Sequence, residues 1–157
     1  MKKYIGFILI LLLAFFLCGC SKKEKKLTDL EVIKKRGYLI AGVKEDSPPF
    51  GYYKDGKLQG IDIEIAKSIA NSIFKNNYPD KNKYIKVTAQ DKISKLNSKE
   101  VDILVAIISV NDKRKLVIDF SEPYFVANQK IMVRKDSKIT NILHFNKQGR
   151  VGVILGT

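Results

Sequence analysis

Apolar residues recur with a helical period in two parts of the chain. From residue 61, the isoleucines Ile65, Ile69 and Ile73 repeat at intervals of four, flanked on the same stripe by Ala66, Ala70 and Phe74. This spacing predicts an amphipathic helix with these side chains on its core face. An earlier helix is predicted from residues 28–31, Thr-Asp-Leu-Glu, which have the capping-box pattern, and Gly37 is its expected stop.

Other segments have the composition of strands. Residues 38–43, 84–88 and 102–108 are rich in apolar and β-branched side chains, and each predicts a strand, the last one buried on both faces. Residues 50–57 predict a hairpin because an Asp-Gly pair, residues 55 and 56, lies at its tip. A short helix is predicted over 91–96. Strands that alternate with helices predict an α/β lobe.

The first 20 residues have the pattern of a targeting segment. Two lysines precede a nearly continuous apolar run, and small residues follow before Cys20. This predicts a signal peptide over residues 1–19. Residues 17–20, Leu-Cys-Gly-Cys, resemble the lipobox of bacterial lipoproteins, which implies that Cys20 is acylated and becomes the first residue. The alternative is a retained membrane anchor, although the run is shorter than the roughly 20 residues that span a bilayer.

Composition restricts the remaining possibilities. The chain has 157 residues, 45% hydrophobic and 29% charged, with a net charge of +13, which suits one modest globular domain. The two cysteines lie at the end of the apolar run, so a disulfide scaffold is excluded. His144 is the single histidine and has no partner pattern, so a metal or catalytic role is not expected for it. No cofactor is expected.

Three segments together resemble one protein family. Residues 39–43, Leu-Ile-Ala-Gly-Val, precede a Pro-Phe pair; residues 60–66 read Gly-Ile-Asp-Ile-Glu-Ile-Ala; and residues 117–124, Val-Ile-Asp-Phe-Ser-Glu-Pro-Tyr, follow Arg114 closely. These motifs are similar to those of the bacterial solute-binding proteins for polar amino acids, the receptors of amino-acid ABC transporters. The resemblance implies an α/β periplasmic-binding-protein-like lobe, the first of two, with the second lobe mostly absent.

The resemblance also implies a domain organisation. Residues 1–19 are expected to form the lipoprotein signal peptide, and residues 20–26 the lipidated cysteine and a tether. Residues 27–128 are expected to form lobe one, and residues 129–157 a crossing strand and the start of a truncated lobe two. Within that last segment, Lys130–Arg134 and Val151–Leu155 are expected to be strands.

Four residues are implied to bind the backbone of an amino-acid ligand. Arg114 matches the arginine that pairs with the α-carboxylate, and such a charge-assisted pair contributes roughly 1.5 to 3 kcal/mol. Ser109 matches a position whose hydroxyl and amide contact the ligand, and Ile107 one whose carbonyl accepts from the ligand ammonium. Thr157 belongs to a loop that would meet the ligand carboxylate from lobe two. No catalytic residue is implied.

Ligand specificity is expected near four further positions. Relatives that bind basic or amide amino acids often have aromatic rings at the positions of Ser47 and Ala89. Lys44 stands where relatives that bind basic amino acids have an aspartate, and Lys92 falls near an arginine used by relatives that bind glutamate or aspartate. Two cations favour an acidic ligand side chain. The alternative is that both are solvated surface lysines.

The resulting hypothesis is a lipid-anchored receptor outside the cytoplasm. It would capture a polar amino acid, with glutamate or aspartate favoured weakly, and deliver it to an ABC transporter permease. The alternative is an enzyme that uses a similar lobe, such as a cyclohexadienyl dehydratase or a membrane-bound murein hydrolase, but no nucleophile or paired acid is evident. Nucleic acid is not an expected partner, because the lysines are scattered and no binding motif is present. One lobe alone is expected to bind at best with millimolar affinity.

Overall fold

A computed structural model describes residues 27–75, 82–128, 130–141 and 150–156. The predicted signal peptide, Cys20, His144 and Thr157 lie outside these described residues. Within them, no helix is both long and apolar enough to cross a membrane.

The described chain alternates between strands and helices, as the sequence predicts. The ten elements in chain order are α1 Asp29–Arg36, β1 Leu39–Val43, β2 Asp46–Ser47, β3 Gly51–Lys54, β4 Lys57–Gln59, α2 Ile61–Phe74, β5 Asn82–Lys86, α3 Lys92–Asn97, β6 Ile103–Val105 and α4 Asp112–Lys115.

Two small sheets organise these elements. In the first, β1 is central and pairs in parallel with β5 on one side and β6 on the other, so that Ala41 lies opposite Tyr84 and Ile103. In the second, β2, β3 and β4 pair antiparallel around the predicted hairpin. The parallel sheet with helices between its strands confirms the predicted α/β class.

Helix α1 begins and ends where its local sequence indicates. The Thr28 hydroxyl accepts from the Glu31 amide at 3.3 Å, and the Glu31 carboxylate accepts from the Thr28 amide at 2.8 Å. This reciprocal capping satisfies main-chain donors that a helix start would leave unpaired. At the other end, Gly37 adopts the left-handed conformation with φ 83°, which costs glycine little.

Helix α2 packs on the parallel sheet with the predicted stripe. Ala66 and Ala70 of that stripe are buried, and its isoleucines and Phe74 are partly buried and pack against the core clusters. Asp62 and Ile63 are also buried, so the core face extends beyond the predicted stripe in the first turn of the helix. The main core cluster consists of Ala41, Val43, Ile63, Ala66 and Val105.

The start of α2 is fixed by a glycine. Gly60 has φ 127°, and a Cβ there would lie 2.1 Å from the carbonyl oxygen of Phe50. The Asp62 amide donates to that same carbonyl at 2.9 Å, and the Ile61 amide donates to Pro49. Only glycine permits this close approach, which places the first turn of α2 directly against the loop before β3.

Two predicted strands are displaced or shorter in the structure. The strand predicted over 84–88 occupies Asn82–Lys86, and the one predicted over 102–108 is limited to Ile103–Val105. The second strand ends early because Ile107 has φ 48°, a left-handed conformation that turns the chain out of the sheet. Ile103 and Leu104 are also only partly buried, so β6 is not covered completely on both faces.

The two strands predicted near the end of the chain are wrong. Residues 130–134 and 151–155 have no regular secondary structure. A strand requires a neighbour for its main-chain hydrogen bonds, and neither segment has one among the described residues. Their side chains accordingly extend into solvent, with Met132 96% exposed and Leu155 77% exposed.

One carboxylate ties α1 to the edge of the parallel sheet. Asp102 forms an ion pair with Arg36 and accepts from the Ile40 amide at 2.7 Å. The Asp102 amide donates back to the Ile40 carbonyl at 2.8 Å. Because Asp102 is mostly shielded from solvent, these interactions are screened much less than those of a surface pair.

We expect replacement of Asp102 by alanine to destabilise the fold. Loss of the charge-assisted hydrogen bonds from Arg36 and Ile40 predicts a decrease in unfolding free energy of about 2 to 3 kcal/mol, measured by urea denaturation. Lys99→Ala is the control, since the Lys99–Asp29 pair is exposed and contributes less than about 1 kcal/mol. Equal effects of the two substitutions would contradict this account.

Candidate functional site

The carboxyl ends of the three parallel strands bring the predicted site residues to one edge. Lys44 directly follows β1, Lys92 begins α3 after β5, and Ile107 comes two residues after β6. Parallel strands place their carboxyl ends on the same side of a sheet, and ligands of open α/β sheets bind in the crevice there. The candidate site is therefore the edge formed by these three loops.

Lys92 is almost completely buried at this edge. Its side chain belongs to the first residue of α3, and the residue is only 3% exposed. The Nζ atom donates to the carbonyl oxygens of Ile107 at 3.2 Å and Ala106 at 3.4 Å. No carboxylate of the described residues lies within ion-pair distance of it. The interpretation of Lys92 as a solvated surface lysine is wrong.

Ile107 is held in an uncommon backbone conformation at the centre of the site. Its φ of 48° lies in the left-handed region, where a β-branched residue is strained by about 1 to 3 kcal/mol. Its carbonyl accepts from Lys92, and its side chain is 42% exposed. The carbonyl that the resemblance assigned to a ligand ammonium therefore already accepts one hydrogen bond from an ammonium of the chain itself.

A second buried charged group lies beneath Ile107. Asp62 is fully buried in the first turn of α2, and its Oδ1 accepts from the Tyr124 hydroxyl at 2.9 Å. Its Oδ2 has no hydrogen-bond partner within the described chain. Burial raises the pKa of Asp62, although the Tyr124 hydroxyl, the Ile107 amide and the charge of Lys92 oppose this increase. Burial and the Asp62 carboxylate likewise raise the pKa of Tyr124.

Arg114 lies on α4 and is held by main-chain oxygens. The Asn111 side chain caps this helix by accepting from the Arg114 amide at 2.9 Å. The guanidinium donates to the carbonyls of Ser109 at 2.9 Å and Gly156 at 3.0 Å. It forms no ion pair with a carboxylate of the described residues. Its charge is therefore not neutralised by an acid in that part of the protein.

Three cations give the site a positive electrostatic potential. Burial, together with the nearby charges of Arg114 and Lys44, lowers the pKa of Lys92 to about 8, against the opposing effect of the Asp62 charge. Lys44 is paired with Asp46 at 3.0 Å. The acidic groups near these three cations are the exposed carboxylate of Asp46 and the buried one of Asp62. The excess positive charge favours an anionic ligand.

The structure brings together most of the predicted site residues. Lys44, Lys92, Ile107 and Arg114 lie at the same edge, and Ser109 takes part through its carbonyl. Ala89 is also at this edge, because its main chain packs closely on Gly156.

Two further candidate positions contribute less. Ser47 lies in the short strand β2, where its hydroxyl donates to the Asp46 carboxylate at 3.0 Å. Thr157 is outside the described residues, and no group of three or more metal-ligating side chains occurs within them.

The Asp62–Tyr124 hydrogen bond was not predicted from the sequence. A carboxylate in the first turn of a helix is already accounted for by the positive end of the helix dipole. One feature of the sequence indicates that Asp62 is buried. Asp62 is four residues before Ala66 and eight before Ala70, so it lies on the same helix face as these two buried alanines. The contact with Tyr124 spans 62 positions of sequence, so no local pattern could indicate it.

The low pKa of Lys92 predicts a specific pH dependence of stability. In the unfolded chain its pKa returns to about 10.5, so between pH 8 and 10.5 the unfolded state binds the extra proton and stability rises with pH. Full deprotonation corresponds to about 3 kcal/mol. Urea unfolding at pH 7 and pH 10.5 should show this gain in the wild type relative to Lys92→Met. Identical pH dependence in both proteins would contradict it.

Comparison with known proteins identifies relatives of the chain. The glutamine-binding protein of Geobacillus stearothermophilus is 38% identical over 166 residues, which cover 93% of this chain and 62% of that protein. The chain therefore spans about three fifths of the length of this curated relative. The structure of a cysteine-binding protein from Campylobacter jejuni has a TM-score of 0.65 and 35% identity, covering 75% of this chain and 47% of that one.

A third relative is a single domain. The arginine-bound form of domain 1 from TmArgBP, the ArgBP of T. maritima, has a TM-score of 0.54 and 34% identity, covering 60% of this chain and 71% of that one. These relatives are described as binding proteins rather than enzymes. The model of bacterial extracellular solute-binding proteins, family 3, matches residues 39–151, most of the chain. The chain therefore belongs to the bacterial extracellular solute-binding proteins, family 3.

Proposed function

We propose that the chain is the receptor lobe of an amino-acid ABC transporter and that it binds a polar amino acid at the edge formed by Lys44, Lys92 and Arg114. The observation that carries this proposal is the Arg114 guanidinium. It is fixed by two main-chain carbonyls and not neutralised by a carboxylate of the described residues. A guanidinium held in this way is oriented to bind a carboxylate through two parallel hydrogen bonds.

The relatives support an amino acid as the class of ligand. The residues of this chain support a preference for an acidic amino acid within that class. The relatives described above are named for glutamine, cysteine and arginine, so an amino acid is the common feature. None of these three names supports an acidic ligand. The preference for glutamate or aspartate depends only on the cations of this site, Lys44 and Lys92, whose charges act on the same region as Arg114.

A single lobe is a reasonable binding unit. Domain 1 from TmArgBP was solved in an arginine-bound form, which supports binding by one lobe in that relative. The edge described above contacts a ligand from one side, so a ligand held by this lobe alone would remain partly hydrated. At best millimolar affinity therefore stays our prediction for this chain.

The cellular setting belongs to the same proposal. We propose that residues 1–19 are a lipoprotein signal peptide, that lipid on Cys20 anchors the protein outside the cytoplasm, and that residues 20–26 form a tether. Residues 27–128 would constitute lobe one, and residues 129–157 the crossing segment and the start of lobe two. The partner would be an ABC transporter permease, which receives the ligand. The family itself consists of extracellular solute-binding proteins. The enzyme alternative has no support from the relatives described above.

Replacement of Arg114 by alanine should reduce glutamate affinity. Loss of a charge-assisted bidentate pair predicts a roughly ten- to hundred-fold increase in Kd, and Arg114→Lys should recover only part of it. The measurement is an NMR titration of the full chain in a mild non-ionic detergent, which detects millimolar binding. Lys113→Ala is the matched control, because Lys113 is an exposed neighbour on the same helix. Unchanged affinity of Arg114→Ala would remove Arg114 from the site.

The predicted anchor has its own test. Intact mass of the protein extracted from membranes of the cells that make it should correspond to a chain that begins at Cys20 and carries acyl groups. In Cys20→Ser the acyl groups should be absent and residues 1–19 retained, since processing of a lipobox requires the acylated thiol. An unmodified wild-type chain that begins at Met1 would contradict lipidation.

A further inference from the structure

Ile107 turns the chain at the candidate site in a conformation that its own side chain does not explain. Its φ of 48° lies in the left-handed region, where a β-branched residue is strained. The Ile107 side chain is 42% exposed, so its packing is a weak constraint on the residue. A strained conformation persists only where surrounding groups hold it. The groups that hold Ile107 are therefore those that contact its main chain.

Two buried charged side chains contact the main chain of Ile107 from opposite ends. Its amide donates to the Asp62 carboxylate, and its carbonyl accepts from the Nζ of Lys92 at 3.2 Å. Asp62 is fully buried and Lys92 is 3% exposed. The Asp62 carboxylate is itself fixed, because the Tyr124 hydroxyl donates to its Oδ1 at 2.9 Å. The peptide groups before and after Ile107 are thus both held in place.

We propose that Asp62 is a positioning residue of the amino-acid site, which holds Ile107 in the left-handed conformation that ligand binding requires, while Lys92 supports the same residue from the carbonyl side. The inference rests on the proposed function for the ligand and its position. Asp62 does not contact the ligand, since it is fully buried. Its effect on binding passes through the main chain of Ile107.

The conformation of Ile107 matters for both charged groups of an amino-acid ligand. A carbonyl oxygen has two lone pairs, so the Ile107 carbonyl can accept from Lys92 and from a ligand ammonium at the same time. Two residues later, the Ser109 carbonyl accepts from the Arg114 guanidinium at 2.9 Å. A relaxed turn at Ile107 would displace Ser109 and, with it, the guanidinium proposed to bind the ligand carboxylate.

Asp62 is a costly residue to bury for stability alone. Its Oδ2 has no hydrogen-bond partner within the described chain, and burial raises its pKa. Buried charges that are incompletely hydrogen-bonded destabilise a fold, and apolar side chains of similar volume often fill such a position without this cost. The cost is accounted for if the carboxylate serves the site through Ile107.

The test uses glycine at position 107, because glycine adopts positive φ about as readily as negative φ. Kd values for glutamate and glutamine are measured by NMR titration of the full chain in a mild non-ionic detergent at constant ionic strength. For the amino acid that binds, Asp62→Ala should raise Kd roughly ten-fold, as only about a tenth of the molecules keep Ile107 in the binding conformation. In Ile107→Gly, the same substitution of Asp62 should raise Kd only about two-fold.

Asp102→Ala is the matched control for stability. Asp102 is also a carboxylate shielded from solvent, but it accepts from Arg36 and the Ile40 amide near the start of β1, at the opposite end of the sheet from the site. It should lower the free energy of unfolding and leave Kd unchanged. An equal rise of Kd in Asp102→Ala would overturn the inference. So would a ten-fold effect of Asp62→Ala that persists in Ile107→Gly.

A second measurement needs no variant and decides if Asp62→Ala does not fold. In the wild type, Ile107 should show a strong NOE between its own amide and Hα protons, which is characteristic of positive φ. Its amide should also exchange slowly with deuterium, because it donates to a buried carboxylate. A weak NOE or rapid exchange would overturn the inference.

The binding results separate the inference from the proposed function. If the wild type binds either amino acid and Asp62→Ala leaves its Kd unchanged, the inference is overturned and the proposed receptor function stands. Binding of neither amino acid by the wild type would overturn both.

Discussion

Parallel pairing of β1 with both β5 and β6 is the constraint on which the rest of the structure depends. Because all three strands run in the same direction, their carboxyl ends lie at one edge, and each is followed by a residue of the site. Helix α2 covers the sheet, and its alanines allow a close approach to β1. The position of the site is thus a consequence of strand direction, and the depth of its buried groups is a consequence of the close packing of α2.

The same packing creates two buried charged groups, and both are adjacent to Ile107. Asp62 lies beneath its amide, and Lys92 donates to its carbonyl. Buried charges are costly unless they are hydrogen-bonded, and here the compensation for Lys92 comes from main-chain oxygens and not from a close carboxylate. Such an arrangement is a poor way to gain stability. It is well suited to holding a strained main-chain segment and a positive charge where a carboxylate ligand would bind.

Local sequence predicted the elements whose causes are local. The capping box at Thr28, the stop at Gly37 and the Asp-Gly hairpin are all present, because each depends on residues within four positions of one another. The helix from residue 61 was predicted with its core stripe, but the burial of Asp62 was not, since it depends on what packs against the first turn of the helix. The strands predicted over 130–134 and 151–155 have the right composition and no neighbour to pair with, so composition alone was insufficient.

By itself, the sequence determined the α/β class, the family motifs and the residue types that meet at the site, among them Arg114, Lys44 and Lys92. Only the tertiary structure decided what those residues do there. Whether a lysine is solvated or buried depends on contacts between α3 and the loop after β6, which are 14 and 15 positions apart in sequence. The partnership of Asp62 with Tyr124 spans 62 positions. Periodicity and local motifs report on near neighbours, whereas burial and charge environment are set by distant segments that folding brings together.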